Sequence, residues 1–259
     1  MPQCAFCLQR GKMSAEHIWS AWICELFPDI EVRFRQWSVT DPIQKEWDAP
    51  MGLTAKVVCK ACNEGWMSDL ESGHAKPAMK PLILSNDSVI LDTARLVSIA
   101  IFAFKTAVIG NHMGRDQLPF FPSQVRRRFA NTLRIPLGFQ VWIGCLADSD
   151  PHHGVFRQRY WETPAGTTNG YHLYGVTWGI GRFVFQATAT RWTSGRNRRN
   201  ILPHLTQHSY FDSFAIPIWP MLNGPITAEW PPRHHLGHDV LYQFCDRWKE
   251  IVAGRVWTG

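Results

Sequence analysis

The chain has 259 residues, of which 45% are hydrophobic and 19% are charged, and its formal net charge is +6. This length predicts one large domain or two modest ones, and the composition excludes a disordered chain because it can fill a hydrophobic core. No secretory signal is predicted, since no apolar N-terminal run follows basic residues. The most apolar stretch, residues 89–110, carries Asp92, Arg95 and Lys105, which favours a buried helix over a membrane span.

The cysteines predict a metal site. Four of the seven form two Cys-x-x-Cys pairs, Cys4 with Cys7 and Cys59 with Cys62. An odd number of cysteines without a secretory signal argues against a disulfide framework and for a reducing, cytoplasmic location. A redox-active pair would explain one pair but not two, and neither lies in a βαβ pattern. We therefore predict that these four thiolates bind a structural zinc ion.

The residues between the two pairs predict a small mixed module. Ser14 is a suitable N-cap for a helix that continues to Leu26 and ends before Pro28. Alternating apolar residues at 30–34 and 56–59 indicate two short strands.

A helix is predicted to begin at Asn63 and to continue to Glu71 or beyond, because apolar residues recur there every three to four positions. Pro77 and Pro81 end this segment, and we place a domain boundary near residue 80.

The second domain, residues 81–259, is predicted to contain helices and an antiparallel β-sheet. Its apolar patterns and its turn residues indicate where these elements lie. The predicted helices are residues 88–110, 123–133 and 240–252, and the predicted strands are residues 139–146, 155–161, 171–178, 182–192 and 214–219.

The positive charge is concentrated in this second domain. Residues 1–80 contain 9 basic and 10 acidic residues, whereas residues 81–259 contain 18 basic and 11 acidic residues, and 16 of those 18 are Arg. The planar guanidinium suits phosphate oxygens and aromatic faces, so this domain is predicted to bind nucleic acid. A solvated basic surface explains the charge equally well. The predicted backbone contacts are Arg126, Arg127 and Arg128 on a helix and Arg196, Arg198 and Arg199 in a loop.

The two cysteine pairs, the Glu16-His17 pair between them and Asn63 directly after the last cysteine resemble the HNH endonucleases, or ββα-metal nucleases. Within that family, the chain looks most like the zinc-stapled branch that includes the phage junction resolvase endonuclease VII. The run from Gly65 to Glu71 is also similar to that of a group of uncharacterised bacterial HNH proteins. The resemblance covers residues 1–75. It implies an α+β chain with an N-terminal zinc-stapled ββα-metal module, followed by the larger mixed domain.

The resemblance also implies a role for each residue of the site. Glu16 and Asn63 match the ligands of a catalytic Mg²⁺ or Mn²⁺, and His17 matches the general base. A carboxylate and an amide carbonyl suit a hard cation, and an imidazole can accept a proton from water near neutral pH. Most of the family has Asp at the first position and His at the third. Glu71 and His74, two and nearly three helical turns beyond Asn63, are expected on the surface or in packing contacts.

The expected function is therefore metal-dependent hydrolysis of phosphodiester bonds in double-stranded DNA. A role in restriction or phage defence is an analogy with free-standing nucleases. Two alternatives remain, a zinc-dependent nucleic-acid-binding protein without catalysis and an RNA nuclease. No membrane association is expected. Some HNH enzymes cut as dimers, so a homodimer is also considered.

Overall fold

The computed structural model describes residues 1–36, 45–85, 87–113, 120–147, 153–162, 171–192, 209–221 and 224–248. The strands within them are β1 (Met13–His17), β2 (Glu31–Gln36), β3 (Lys45–Pro50), β4 (Thr54–Cys59), β5 (Val89–Leu91), β6 (Phe139–Cys145), β7 (His153–Glu162), β8 (Tyr171–Ile180), β9 (Phe183–Trp192), β10 (Ala215–Trp219) and β11 (Ala228–Trp230). The helices are α1 (Ala21–Leu26), α2 (residues 60–84), α3 (Thr93–Met113), α4 (Ser123–Thr132) and α5 (His238–Asp246), with a 3₁₀ turn at Ser209–Ser213. The predicted α+β class is confirmed.

Helix α2 consists of five helical segments that follow one another directly. Its backbone leaves the helical region at Gly65, where φ is −95° and ψ is −119°. Two π-helical turns interrupt the α-helical hydrogen bonding, and such turns are frequent at functional sites. The segments are Lys60–Cys62, Asn63–Met67 (π), Ser68–Leu70, Glu71–Ala75 (π) and Lys76–Leu84.

The small sheet pairs β1 with β4 in antiparallel orientation, and α2 follows β4 directly. A helix starting at Ser14 was predicted, and this prediction is wrong: residues 13–17 are a strand, and α1 begins at Ala21, after Ser20. Local propensity missed the strand because its partner, β4, lies far along the chain. The predicted strand at 56–59 is confirmed as part of β4.

A seven-stranded sheet forms the larger layer, with the strand order β10-β6-β9-β8-β7-β2-β3. Its neighbours are antiparallel except for β2 and β7, which are parallel. The sheet is therefore mixed, where an antiparallel one was predicted. Strands β2 and β3 come from the segment between the cysteine pairs, so this segment extends the sheet of the second half of the chain.

Helix α3 lies in the centre of the core. It is long and apolar enough to cross a membrane, but 67% of its most apolar window is buried inside the protein, as in core helices of soluble proteins. Phe102 contacts Trp178 of β8 at a ring-centroid distance of 5.8 Å, and Phe104 contacts Phe139 of β6 at 4.9 Å. The predicted buried helix is thus confirmed, although it begins at Thr93, after the short strand β5.

The predicted boundary near residue 80 falls inside α2 and does not separate two cores. A single hydrophobic cluster includes Cys4, Trp19 and Met79 from the first part and Phe104 and Trp178 from the second. The two parts share this core as well as the seven-stranded sheet.

Gly181, in the tight turn between β8 and β9, gives a test of this junction. Its φ of +56° is left-handed, and an added Cβ would lie 2.6 Å from the Ile83 carbonyl oxygen at the end of α2. We expect Gly181→Ala to lower the free energy of unfolding by about 1–3 kcal/mol, because it combines a strained φ with a backbone clash. Urea unfolding measures the change.

The control is Gly52→Ala. An added Cβ at Gly52 meets nothing within 4 Å, and its φ is not left-handed. This substitution should change the free energy of unfolding by less than about 0.5 kcal/mol or slightly increase it. Equal effects of the two substitutions would contradict the proposed contact between the turn and α2.

Candidate functional site

The four paired cysteines converge. The sulfurs of Cys4, Cys7, Cys59 and Cys62 all lie within 4.8 Å of one another, and those of Cys7 and Cys59 are 3.5 Å apart. Four sulfurs bound tetrahedrally to zinc at about 2.3 Å would lie about 3.8 Å apart. The cluster therefore has the composition and spacing of a site that could hold a metal such as zinc. Among the described residues, it is the only group of three or more His, Cys, Asp or Glu side chains with such convergence.

Backbone contacts hold the first cysteine pair on the small sheet. The pairing of β1 with β4 shifts between Ser14 and Glu16, so that Lys56 and Val57 lie opposite the single residue Ala15. This bulge leaves the Val57 carbonyl to accept a hydrogen bond from the Ala5 N–H at 2.8 Å. The bulge thereby joins the Cys4–Cys7 turn to the strand that leads into Cys59.

The electrostatics of the sulfurs favour a bound cation. Burial raises the pKa of Cys62 and of Cys7, and the neighbouring thiols raise it further. Burial acts in the same direction on Cys4, but hydrogen bonds from the backbone of Cys59 and Phe6 lower its pKa overall. Four adjacent thiolates repel one another, and a divalent cation would remove this repulsion and favour their ionised form.

Glu16 points into the core, where it meets a buried lysine. The Lys105 ammonium of α3 lies 2.6 Å from Glu16 Oε1 and also contacts Glu71 Oε1 of α2. Burial alone would lower the pKa of Lys105, but the two carboxylates raise it above its usual range, so Lys105 is protonated. Burial raises the pKa of Glu16 even though Lys105 opposes this shift. Glu71, expected on the surface or in packing contacts, is a member of this ion cluster.

Asn63 is fixed against β1. Its Nδ2 donates to Ser14 Oγ at 3.0 Å and to the Ala15 carbonyl at 3.2 Å. A carbonyl can only accept, so this contact sets the orientation of the amide and directs Oδ1 to other partners. His17 is half-buried at the C-terminal end of β1, directly after Glu16. The structure thus places Asn63 against Ser14 and Ala15 of β1, turns the Glu16 carboxylate toward Lys105, and places His17 opposite Thr54 at the start of β4.

The predicted nucleic-acid contacts fall into three groups. Arg127 and Arg128 are exposed on α4. Arg126 is buried, and its guanidinium donates to the carbonyls of Phe121 and Ala5, so it braces the first cysteine pair and is not available to phosphate. The predicted contacts Arg196, Arg198 and Arg199 lie outside the described residues.

Sequence reasoning missed the structural roles of Lys105 and Arg126. A signal for Lys105 was present, because it is one of only two lysines after residue 80 and lies inside the most apolar stretch of the chain. A buried lysine needs acidic partners. The identity of those partners could not be predicted, since β1 and α2 are distant in sequence.

We expect the protein to bind one zinc ion per chain, as measured by elemental analysis after exhaustive dialysis. Cys59→Ser and Cys62→Ser should lose this zinc, because a hydroxyl is a poor replacement for a thiolate ligand. Removal of zinc by a chelator should lower the melting temperature by about 10 °C or more, since metal binding contributes to folding.

Cys24→Ser is the matched control for these substitutions. Cys24 lies outside the cluster, and its sulfur donates to the Trp19 carbonyl, which a serine hydroxyl can also do. This variant should keep its zinc. Loss of zinc from Cys24→Ser, or retention in Cys59→Ser, would contradict the assignment.

Arg126→Met should lower the free energy of unfolding by about 1–3 kcal/mol, because it removes charged donors from two buried carbonyls. Arg127→Met, the exposed neighbour, should change it by less than about 0.5 kcal/mol. Urea unfolding of both variants measures this difference. A destabilisation by Arg127→Met as large as that by Arg126→Met would contradict the bracing role of Arg126.

No protein-family model, curated protein or solved structure matches the chain. The likeness to HNH endonucleases therefore rests on the first cysteine pair and on residues of β1, β4 and α2.

Proposed function

We propose that this protein is a metal-dependent endonuclease that hydrolyses phosphodiester bonds in DNA. The observation that carries the proposal is the pair of hydrogen bonds that fixes Asn63 against Ser14 and Ala15, the residues of β1 that directly precede Glu16 and His17. The cysteine cluster supports it, because a metal bound there would hold the start of α2 against the small sheet. Strands β1 and β4 and helix α2 keep the strand–strand–helix order of the ββα-metal family, with α1, β2 and β3 inserted between the two strands.

Each of the three residues has a chemical role in this proposal. His17 is the general base, since its half-buried imidazole can accept a proton from the attacking water. The Asn63 amide oxygen and the Glu16 carboxylate are oxygen donors of the kind that Mg²⁺ and Mn²⁺ prefer. A divalent cation there would supply Lewis acidity and would stabilise the charge of the departing oxygen.

Exposed basic residues near the module would bind the DNA backbone. Arg127 and Arg128 lie on α4, which Arg126 braces against the first cysteine pair. Lys56 is exposed in the bulge of β4, opposite Ala15. Phosphate contacts of this kind position a duplex without reading its sequence, which suits cleavage that depends on backbone geometry.

One observation favours a second candidate, a zinc-dependent nucleic-acid-binding protein without catalysis. The Lys105 ammonium already neutralises part of the charge on Glu16, which lowers the attraction of this carboxylate for a divalent cation. In this alternative, the same basic surface would bind nucleic acid, and His17 would have no catalytic role.

Nicking of supercoiled plasmid in the presence of Mg²⁺ or Mn²⁺ separates the two candidates. We expect the wild type to nick and His17→Ala to reduce the rate about 10²- to 10⁴-fold, the usual contribution of a general base. Asn63→Ala should also reduce the rate. His74→Ala is the matched control, because His74 is exposed on α2, more than two turns beyond Asn63, and it should nick like the wild type.

Zinc content and far-UV circular dichroism must be unchanged in each variant for the comparison to hold. If the wild type binds DNA without nicking it, the non-catalytic candidate is correct. Equal rates for the wild type and His17→Ala would refute the assignment of the base. Faster cleavage of RNA than of duplex DNA would identify the substrate as RNA.

A further inference from the structure

Lys105 is the only basic residue in the buried central stretch of α3. The side chains from Phe102 to Asn111 are buried on all sides, and that of Lys105 is 2% exposed. Its ammonium could not remain charged in this apolar surrounding without acidic partners.

Its two partners come from two different elements. Glu16 is provided by β1 and Glu71 by the second π-helical turn of α2. The Lys105 ammonium is therefore the point at which β1, α2 and α3 meet. The other end of β1 is fixed at the cysteine cluster, since Met13 pairs with Cys59.

The ion cluster also decides which oxygen of Glu16 is engaged. Lys105 contacts Oε1 at 2.6 Å, and the Glu16 side chain is 5% exposed. An ionised carboxylate has about four lone-pair sites on its two oxygens, so one contact with an ammonium does not use all of its acceptor capacity. Two carboxylates and one ammonium carry one excess negative charge when all are ionised, so the cluster is still attractive to a further cation.

We propose that Lys105 is a positioning residue that holds the Glu16 carboxylate in the orientation in which it binds the divalent cation. Glu71 is the second counter-ion of the ammonium, and it keeps Lys105 charged and in place beneath β1. This inference rests on the proposed function, because it concerns the same site. Partners that orient a ligand in this way change metal affinity about 10- to 100-fold when they are removed.

The experiment measures Mn²⁺ binding to the zinc-loaded protein by electron paramagnetic resonance, without DNA. We expect Lys105→Met to weaken Mn²⁺ binding about 10- to 100-fold. Glu16→Gln should weaken it at least as much. Zinc content and the near-UV circular dichroism spectrum confirm that each variant is folded.

A second variant keeps the test valid if Lys105→Met is unstable. Lys105→Met combined with Glu71→Gln removes one positive and one negative charge, so the formal charge of the cluster is unchanged and no second unpaired carboxylate remains. If positioning is the cause, the double variant should lose Mn²⁺ affinity as Lys105→Met does. The control is His74→Ala, an exposed residue of α2 outside the ion cluster, which should bind Mn²⁺ within about 3-fold of the wild type, less than the loss expected for a removed orienting partner.

Three results would overturn the proposal. Unchanged Mn²⁺ affinity in both Lys105 variants would show that Glu16 needs no positioning. Tighter binding would show that the ammonium competes with the cation for Glu16. No Mn²⁺ binding by the wild type would remove the ligand role of Glu16. These results are independent of nicking, because a protein that binds Mn²⁺ through this site but does not nick would refute only the nuclease function.

Discussion

The convergence of four sulfurs is the constraint on which the rest of the structure depends. The sheet formed by β1 and β4 has only two strands, of five and six residues, and such pairs are marginal in water by themselves. A metal held by Cys4, Cys7, Cys59 and Cys62 would contribute folding free energy at the place where the chain start, the sheet and α2 meet. The positions of Asn63 and of β1 both follow from this junction.

The module does not provide its own core, and the second half of the chain completes it. Phe6 and Trp66 form an edge-to-face contact with a centroid distance of 5.0 Å, and both rings pack against Phe129 of α4. Arg126, which also lies on α4, donates a hydrogen bond to the carbonyl of Ala5. The resemblance implies a metal-stapled N-terminal module, and in this chain that part packs against α3 and α4.

Much of the fold follows from local patterns in the sequence. The elements with strong periodicity were predicted to within a few residues, because one buried face imposes a regular spacing on a long helix or strand; α3, α4 and β9 are examples. Strand β1 and the parallel pairing of β2 with β7 were not predicted, since both depend on partners distant in the chain. Short segments carry too little periodicity to outweigh local propensity.

The site was predicted as a set of residues but not as a set of contacts. The cysteine cluster could be predicted because four soft ligands in two pairs have few other uses. The contact between Glu16 and Lys105 could not be predicted, because the two residues are far apart in the sequence and no local pattern pairs them. Arg126 was misassigned for a related reason: three consecutive arginines look alike in a sequence, and only the helical register of α4 decides that one of them faces the core.

The buried cluster of Lys105, Glu16 and Glu71 raises the question of why charged residues occupy this part of the core. Replacing a buried ion pair by apolar residues of similar volume is often neutral or stabilising, so such a cluster is weak evidence for a contribution to stability. Apolar residues at all three positions would fill the same space without any desolvation cost. The three charges instead lie beneath the residue that precedes His17, at the end of β1 that is not fixed by the cysteines. Because stability alone does not call for charges there, their position agrees with the proposed role of Lys105 in orienting the Glu16 carboxylate.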